Sequence, residues 1–166
     1  MDQAQGAIDA ARAAGAEQYA TTEFAAATSS LQSAHDAAAT GDYRLALNHA
    51  LSSHQRAQNA ARGTADSKAA MRAGVERTLA ELDIFIAEAE ARLATAQRAR
   101  VAQRLLAEPV KALATIRADV QEARAAVDSG EYISAEQGLA GMRARVDAVL
   151  AAIADAATPQ SARRRR

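Results

Sequence analysis

Apolar residues recur at steps of three and four along most of the chain, and no run alternates β-branched and polar residues over several positions. The pattern predicts helices and no sheet. A short first helix spans about 3–14 and ends at Gly15, a residue suited to the left-handed C′ position. Thr21 or Thr22 caps a second, which runs to about Thr40 with Phe24, Ala27, Leu31, Ala34 and Ala38 on one face. Gly41 stops it, and Asp42 caps a third helix that reaches Arg62, where Gly63-Thr64 reads either as a stop and recap, the preferred reading, or as a kink in one very long helix. From Ala65 to Ala107 the apolar positions Val75, Leu79, Leu82, Ile86, Ala89, Leu93 and Ala96 step by 4, 3, 4, 3, 4 and 3, a heptad seam. At ~1.5 Å per residue that helix would extend roughly 60 Å, so an elongated molecule is expected.

Glu108-Pro109 closes the long helix and opens a fifth, with Leu113, Ile116, Val120, Ala123 and Val127 on its apolar face. Gly130 ends it. The sixth carries Tyr132, Ala135, Leu139, Met142, Val146, Val149 and Ile153. Residues 159–166 are expected to be a disordered basic tail. The expected fold is therefore all-α: a single domain over 1–158, an elongated bundle of about six antiparallel helices. In it a hairpin at 21–62, a long central helix at 65–107 and a hairpin at 109–157 follow one another.

Composition sharpens this picture. The chain has 166 residues, of which 49 are alanine and only 3% aromatic, with eight glycines and two prolines. Alanine has the highest helix propensity but contributes only a methyl group to a core. The twenty acidic and twenty basic residues balance, yet Arg163–Arg166 hold four of the basic ones; residues 1–162 carry sixteen against twenty, a net of about −4. The body is mildly acidic and the tail basic. There is no cysteine, hence no disulfide or zinc-thiolate chemistry. No apolar run reaches the ~18 residues of a membrane span. The opening Met1-Asp2-Gln3 does not read as a signal peptide; the expected location is the periplasm or cell envelope if a signal peptide was removed, and otherwise the cytoplasm.

The chain also repeats itself. Placing Leu31-Gln32 on Val120-Gln121, 89 positions on, puts Ala34 on Ala123, Ala37 on Ala126, Gly41 on Gly130, Asp42 on Glu131, Tyr43 on Tyr132 and Ala46 on Ala135. Each identity has a structural task in a hairpin corner. Glycine turns the chain with positive φ, the acid caps the next helix, tyrosine wedges the corner, and alanine lets two helix backbones approach. The two hairpins are of one design.

Gly-Asp-Tyr-x-x-Ala also resembles the turn and second helix of a tetratricopeptide repeat, although the spacing of 89 differs from the ~34-residue period of tandem arrays and the Trp-Leu-Gly signature is absent. Residues 7–61, with Ala-Ile-x-x-Ala-x-x-Ala-Gly-Ala-x-x-Tyr-Ala, an Ala-rich helix and then Gly-Asp-Tyr-x-x-Ala, resemble a small uncharacterised domain family of bacterial envelope lipoproteins. That resemblance implies an envelope location and leaves the molecular role unassigned. The chain departs from the family at Thr21-Thr22, where proline usually follows the alanine, and has no lipobox cysteine.

Candidate chemistry is sparse. Folding about Gly41 brings His35, with Asp36 beside it, opposite His49, but without the i, i+4 spacing of a helical metal site. No nucleophile elbow, phosphate loop or HExxH motif occurs, and Glu88, Glu90 and Asp119 read as partners of nearby arginines. No catalytic residue, cofactor, metal or small-molecule substrate is expected. Ile84 and Phe85 widen the apolar arc of the long helix, which is expected to pack on both hairpins or on a second copy. The expected role is a non-catalytic protein–protein interaction or scaffold module that takes a partner helix or peptide in its Ala-lined grooves, with self-association through the long helix as a further option. The alternative is docking on an anionic membrane or nucleic acid through Arg163, Arg164, Arg165 and Arg166.

Overall fold

The computed structural model describes residues 1–158 and is all-α, with seven helices and no strand among the described residues. They are α1 (Asp2–Ala14), α2 (Ala16–Tyr19), α3 (Thr21–Ala39), α4 (Tyr43–Arg98), α5 (Gln103–Asp128), α6 (Tyr132–Leu139) and α7 (Met142–Ala157). The tail at 159–166, with its arginine run, lies outside the described residues. The sequence reading treats 1–158 as one domain; the helices group into two compact units, Met1–Ala70 and the chain from Met71 onward.

In the first unit α3 and the beginning of α4 form an antiparallel hairpin with α1 laid along it. The face that α4 buries consists entirely of small side chains: Ala46, Ala50, Ser53, Ala57, Ala60 and Thr64. Opposite stand Ala4, Ile8 and Ala11 of α1 with Phe24, Ala27 and Leu31 of α3. Small residues at steps of four and three let helix axes come close, so that backbone as well as side chain is packed. Both buried hydroxyls are satisfied: Ser53 Oγ donates to the Ala27 carbonyl at 2.8 Å across the helix pair, and Thr64 Oγ1 donates to the Ala60 carbonyl at 2.8 Å. Side chains of α4 also fasten α1 at both ends. His54 Nδ1 lies 3.1 Å from the Gln3 carbonyl, and Lys68 Nζ donates to the Ala14 carbonyl at 2.7 Å.

The expected break at Gly63-Thr64 is absent, for both residues lie inside α4. Gly63 has no positive φ, and the Thr64 hydroxyl bonds back within the helix instead of recapping it. Burial of Ala57, Ala60 and Thr64 on either side of Gly63 holds the helical path, against a propensity loss of only about 1 kcal/mol. Nor do the threonines cap α3: Thr21 is its first residue, and Ala20 occupies the N-cap without a side-chain bond. The apolar face closes on buried Ala37, with Ala38 half-buried.

In the second unit the Met71–Arg98 part of α4 packs with α5, α6 and α7 around a richer core. Val75, Leu79, Leu82, Ile86, Ala89 and Ala96 meet Leu113, Ile116, Val120, Leu139, Met142, Val146, Val149 and Ile153. The heptad seam is thus satisfied within the chain. Cross-helix ion pairs follow the same register: Asp83–Arg124 at 2.6 Å, Glu90–Arg117, and Asp119–Arg145 at 2.6 Å.

Three boundaries differ from expectation. The turn expected at Glu108-Pro109 lies at Ala99–Ala102, and Pro109 sits buried within α5. There Arg100 takes φ 58°, the described residues' only non-glycine residue with positive φ. Its N–H donates to Gln97 and the Val101 N–H to Ala96, closing the α4 C-terminus. The expected sixth helix is two, α6 and α7, divided at Ala140-Gly141, where Gly141 has φ 73°.

The hairpin corners at Gly41 and Gly130 have φ 83° and 80°. In each, the glycine N–H donates to the carbonyl three residues back and the next N–H to the carbonyl five back: Gly41 to Ala38 and Asp42 to Ala37, Gly130 to Val127 and Glu131 to Ala126. This Schellman pairing satisfies the carbonyls that a helix end leaves open. A Cβ at either glycine would meet nothing within 4 Å, so the glycines are required by backbone conformation alone.

Glycine substitutions therefore carry opposite signs at different sites. Gly41→Ala and Gly130→Ala should each cost about 1 kcal/mol in urea unfolding, and valine more, whereas Gly63→Ala should stabilise by roughly 0.5–1 kcal/mol. Arg100→Gly should stabilise by up to about 1 kcal/mol, since the left-handed conformation is already imposed there. A destabilising Gly63→Ala would contradict an unbroken α4.

Candidate functional site

The repeated corner residues divide into those that build the turn and those that do not. Ala46 and Ala135 are buried at 4% and 0% exposure, where α4 and α6 meet the preceding helices. Asp42 Oδ1 accepts the Leu45 N–H at 2.9 Å, an N-cap bond. Glu131, its counterpart, occupies the N-cap of α6 with no side-chain bond to the helix. Its extra methylene leaves the carboxylate poorly placed for the third-residue N–H that aspartate reaches, and it faces the groove between α5 and α6 instead. The tyrosines also differ. Tyr43 is 75% exposed and wedges nothing. Tyr132 is half-buried beside Arg72. The Arg72 guanidinium is held above its ordinary range by its hydrogen bond to Glu76, with smaller contributions from the charge of Glu76 and from the Tyr132 hydroxyl.

The histidines do not assemble. His35 is exposed and His49 half-buried, and among the described residues no three metal-capable side chains come together. His54, which sequence reasoning passed over, has a structural use. With Nδ1 protonated it donates to the Gln3 carbonyl, while Nε2 accepts from the Gln58 amide at 3.0 Å.

Three grooves of the second unit are the concave surfaces most relevant to binding. One, of about 500 Å³ between α5 and α6, has Asp119, Glu122 and Glu131 on its rim and Ala123, Ala126 and Gly138 among its lining residues. Asp119 is already paired with Arg145. The second, of about 410 Å³, runs between α4 and α7; Ala91, Thr95, Ala96 and Ala99 line one wall, Ile153, Ala154 and Ala157 the other, and the Glu88–Arg92 ion pair sits at its edge. It is the least polar of the three. The third, of about 320 Å³, lies between α5 and α7 beside Pro109, Ile116 and Val149.

The wide apolar arc expected at Ile84 and Phe85 is only partly realised. Ile84 is 67% exposed, and Phe85 is half-buried beneath Arg143, whose guanidinium carbon stands 3.3 Å from the ring centroid. Arg143 also pairs with Asp147 at 3.0 Å, which holds the guanidinium over the ring. In the first unit Leu47 and Leu51 of α4 are 59% and 58% exposed one turn apart, a pair that the helical periodicity of alanines hid. No helix among the described residues is long and apolar enough to cross a membrane.

Comparison of the chain with family models, with curated proteins and with solved structures gave no match.

The two tyrosines provide a direct check on the corner. Tyr43→Ala should change stability by less than about 0.5 kcal/mol, whereas Tyr132→Ala should cost about 1–2 kcal/mol, read as urea midpoints at equal slope. Equal costs would restore the wedge role to Tyr43.

Proposed function

We propose that the chain is a non-catalytic interaction module that takes up an apolar-faced segment of a partner protein in the groove between α4 and α7. The observation that carries this reading is the lining of that groove. The groove is open, its walls are mainly alanine methyls with Ile153, itself almost wholly buried, and its polar groups are confined to the Glu88–Arg92 edge and Thr95. Such a surface offers shape and apolar area but few groups to orient a small polar molecule. It suits a helix or extended peptide whose own side chains enter between the ridges.

Membership of the envelope lipoprotein family, and a cell-envelope location with it, belong to the same proposal and rest on the Gly-Asp-Tyr hairpin within residues 7–61. The tetratricopeptide likeness rests on the same hairpins.

Filling the groove tests the reading. Ala154→Trp places an indole between the two walls at a helix position that is exposed in the free chain, so helicity and melting should stay close to wild type. A partner recovered from the native host with wild-type protein as bait should be lost, at least tenfold, with Ala154→Trp. If no specific partner is recovered, or if every partner binds the filled variant equally well, the proposal fails.

A further inference from the structure

Charge is unevenly distributed along the chain. Residues 97–111 carry Arg98, Arg100, Arg104 and Lys111 against the single acid Glu108, whereas the rest of residues 1–162 holds twelve basic residues against nineteen acidic, a net of about −7. All four cations are exposed. None of them is ion-paired among the described residues, while Arg92 and Arg117, further along the same two helices, pair with Glu88 and Glu90. The fold gathers them at one end of the second unit. They flank the Ala99–Ala102 turn between α4 and α5, and the last turn of α7 lies against the last turn of α4, where Ala99 and Ala157 line one groove. The chain leaves α7 at this end, and Arg163–Arg166 follow six to nine residues after Ala157.

Two of these arginines stand where local backbone physics disfavours them. Arg100 holds φ 58°, a conformation that the hairpin corners give to glycine. Arg104 lies in the first turn of α5, at the positive end of the helix dipole, where an acid is preferred and none is present. Neither gains an ion pair in return. Apolar side chains stand among the cations: Leu105 is 40% exposed and Val110 42%. Val110 shares a groove of about 470 Å³ with half-buried Val101 and with Gln97 and Gln103.

We infer that this end of the second unit docks on an anionic lipid bilayer. The cations meet lipid phosphates at the level of the headgroups, and Leu105, next to Arg104, enters the apolar boundary beneath them. A nucleic acid matches the charge alone. It makes no use of exposed aliphatic groups, and residues 97–111 contain no aromatic on which a base could stack. The arginines at 163–166 add to a surface that the fold already builds. Each cation held at an anionic surface multiplies partitioning by about five. The inference does not depend on the partner segment proposed for the α4–α7 groove.

The probe is a vesicle of phosphatidylcholine and phosphatidylglycerol, two to one, sedimented with the intact protein at low salt. Retention is expected on these vesicles and not on pure phosphatidylcholine, and it should fall as salt is raised. R100G/R104Q should weaken it at least tenfold while melting at or above the wild-type temperature, because both changes relieve a local conflict. L105S, which keeps every charge, should weaken it severalfold. Equal retention by R100G/R104Q, or none by the wild type, would overturn the inference. So would retention that L105S leaves unchanged, or retention abolished by removing residues 163–166 alone, since the charge of the tail would then suffice. An oligonucleotide of mixed sequence, bound more tightly than the vesicles and released by R100G/R104Q, would overturn it in favour of nucleic acid.

Discussion

Close approach between helix backbones is the condition on which the first unit depends. A core of methyl groups gains little from each side chain, so alanine-lined helices are stabilised chiefly when their axes come near enough for backbone atoms to share in the packing. The α4 face of Ala46, Ala50, Ser53, Ala57, Ala60 and Thr64 meets that condition over five turns. Ser53 shows how tight the fit is: its hydroxyl reaches the carbonyl of Ala27 on the neighbouring helix, which a wider spacing would not permit. The same carbonyl lies within a helix, so the bond adds a second donor to an acceptor with two lone pairs and leaves no buried group unpaired. Larger residues on this face would force the helices apart and remove the contacts that the neighbouring alanines make.

The second unit solves the same packing problem with different material. Its seam is built of valine, leucine, isoleucine and methionine, and its helices are cross-linked at the rim by the Asp83–Arg124, Glu90–Arg117 and Asp119–Arg145 pairs. Each pair is partly exposed and contributes modestly, but the three fix one register along α5. In the first unit the α3–α4 pair has a single longer ion pair, Glu23–Arg56 at 3.8 Å, and register there comes from Ser53 and from the two side chains that hold the ends of α1. One hairpin design is thus stabilised by steric fit in one copy and by apolar bulk with charge in the other.

How far the sequence could be read follows from which signals were local. The steps of three and four placed every helix-rich segment, and the glycines at 15, 41 and 130 marked turns because a positive φ there is a property of one residue. Where the signal was not local, reading failed. Gly63 looks like Gly41 in sequence, but tertiary burial around it keeps the helix unbroken. Arg100 makes the same Schellman turn as the glycines without their signature, and Pro109 drew the boundary to the wrong place because it sits inside α5, past the first turn, where burial of Leu106, Pro109 and Leu113 holds the helical path despite the missing N–H. The site was less legible still. Tyr43 and Tyr132 are identical letters in identical motifs, and only the presence of Arg72 and its helix over one of them separates their environments.

That separation bears on what a repeated motif can mean. Glycine, the Schellman bonds and the buried alanine five residues on recur in both corners because they are demanded by the chain's own path, whatever lies outside it. The positions free to differ are those whose surroundings differ: Asp42 caps while Glu131 does not, Leu47 stands where the repeat has Glu136, and His35 where it has Arg124. In the second unit glutamate at 136 is at ease because it faces water beyond the covering helix. The two corners share one backbone, and the side chains that differ between them are those whose surroundings differ.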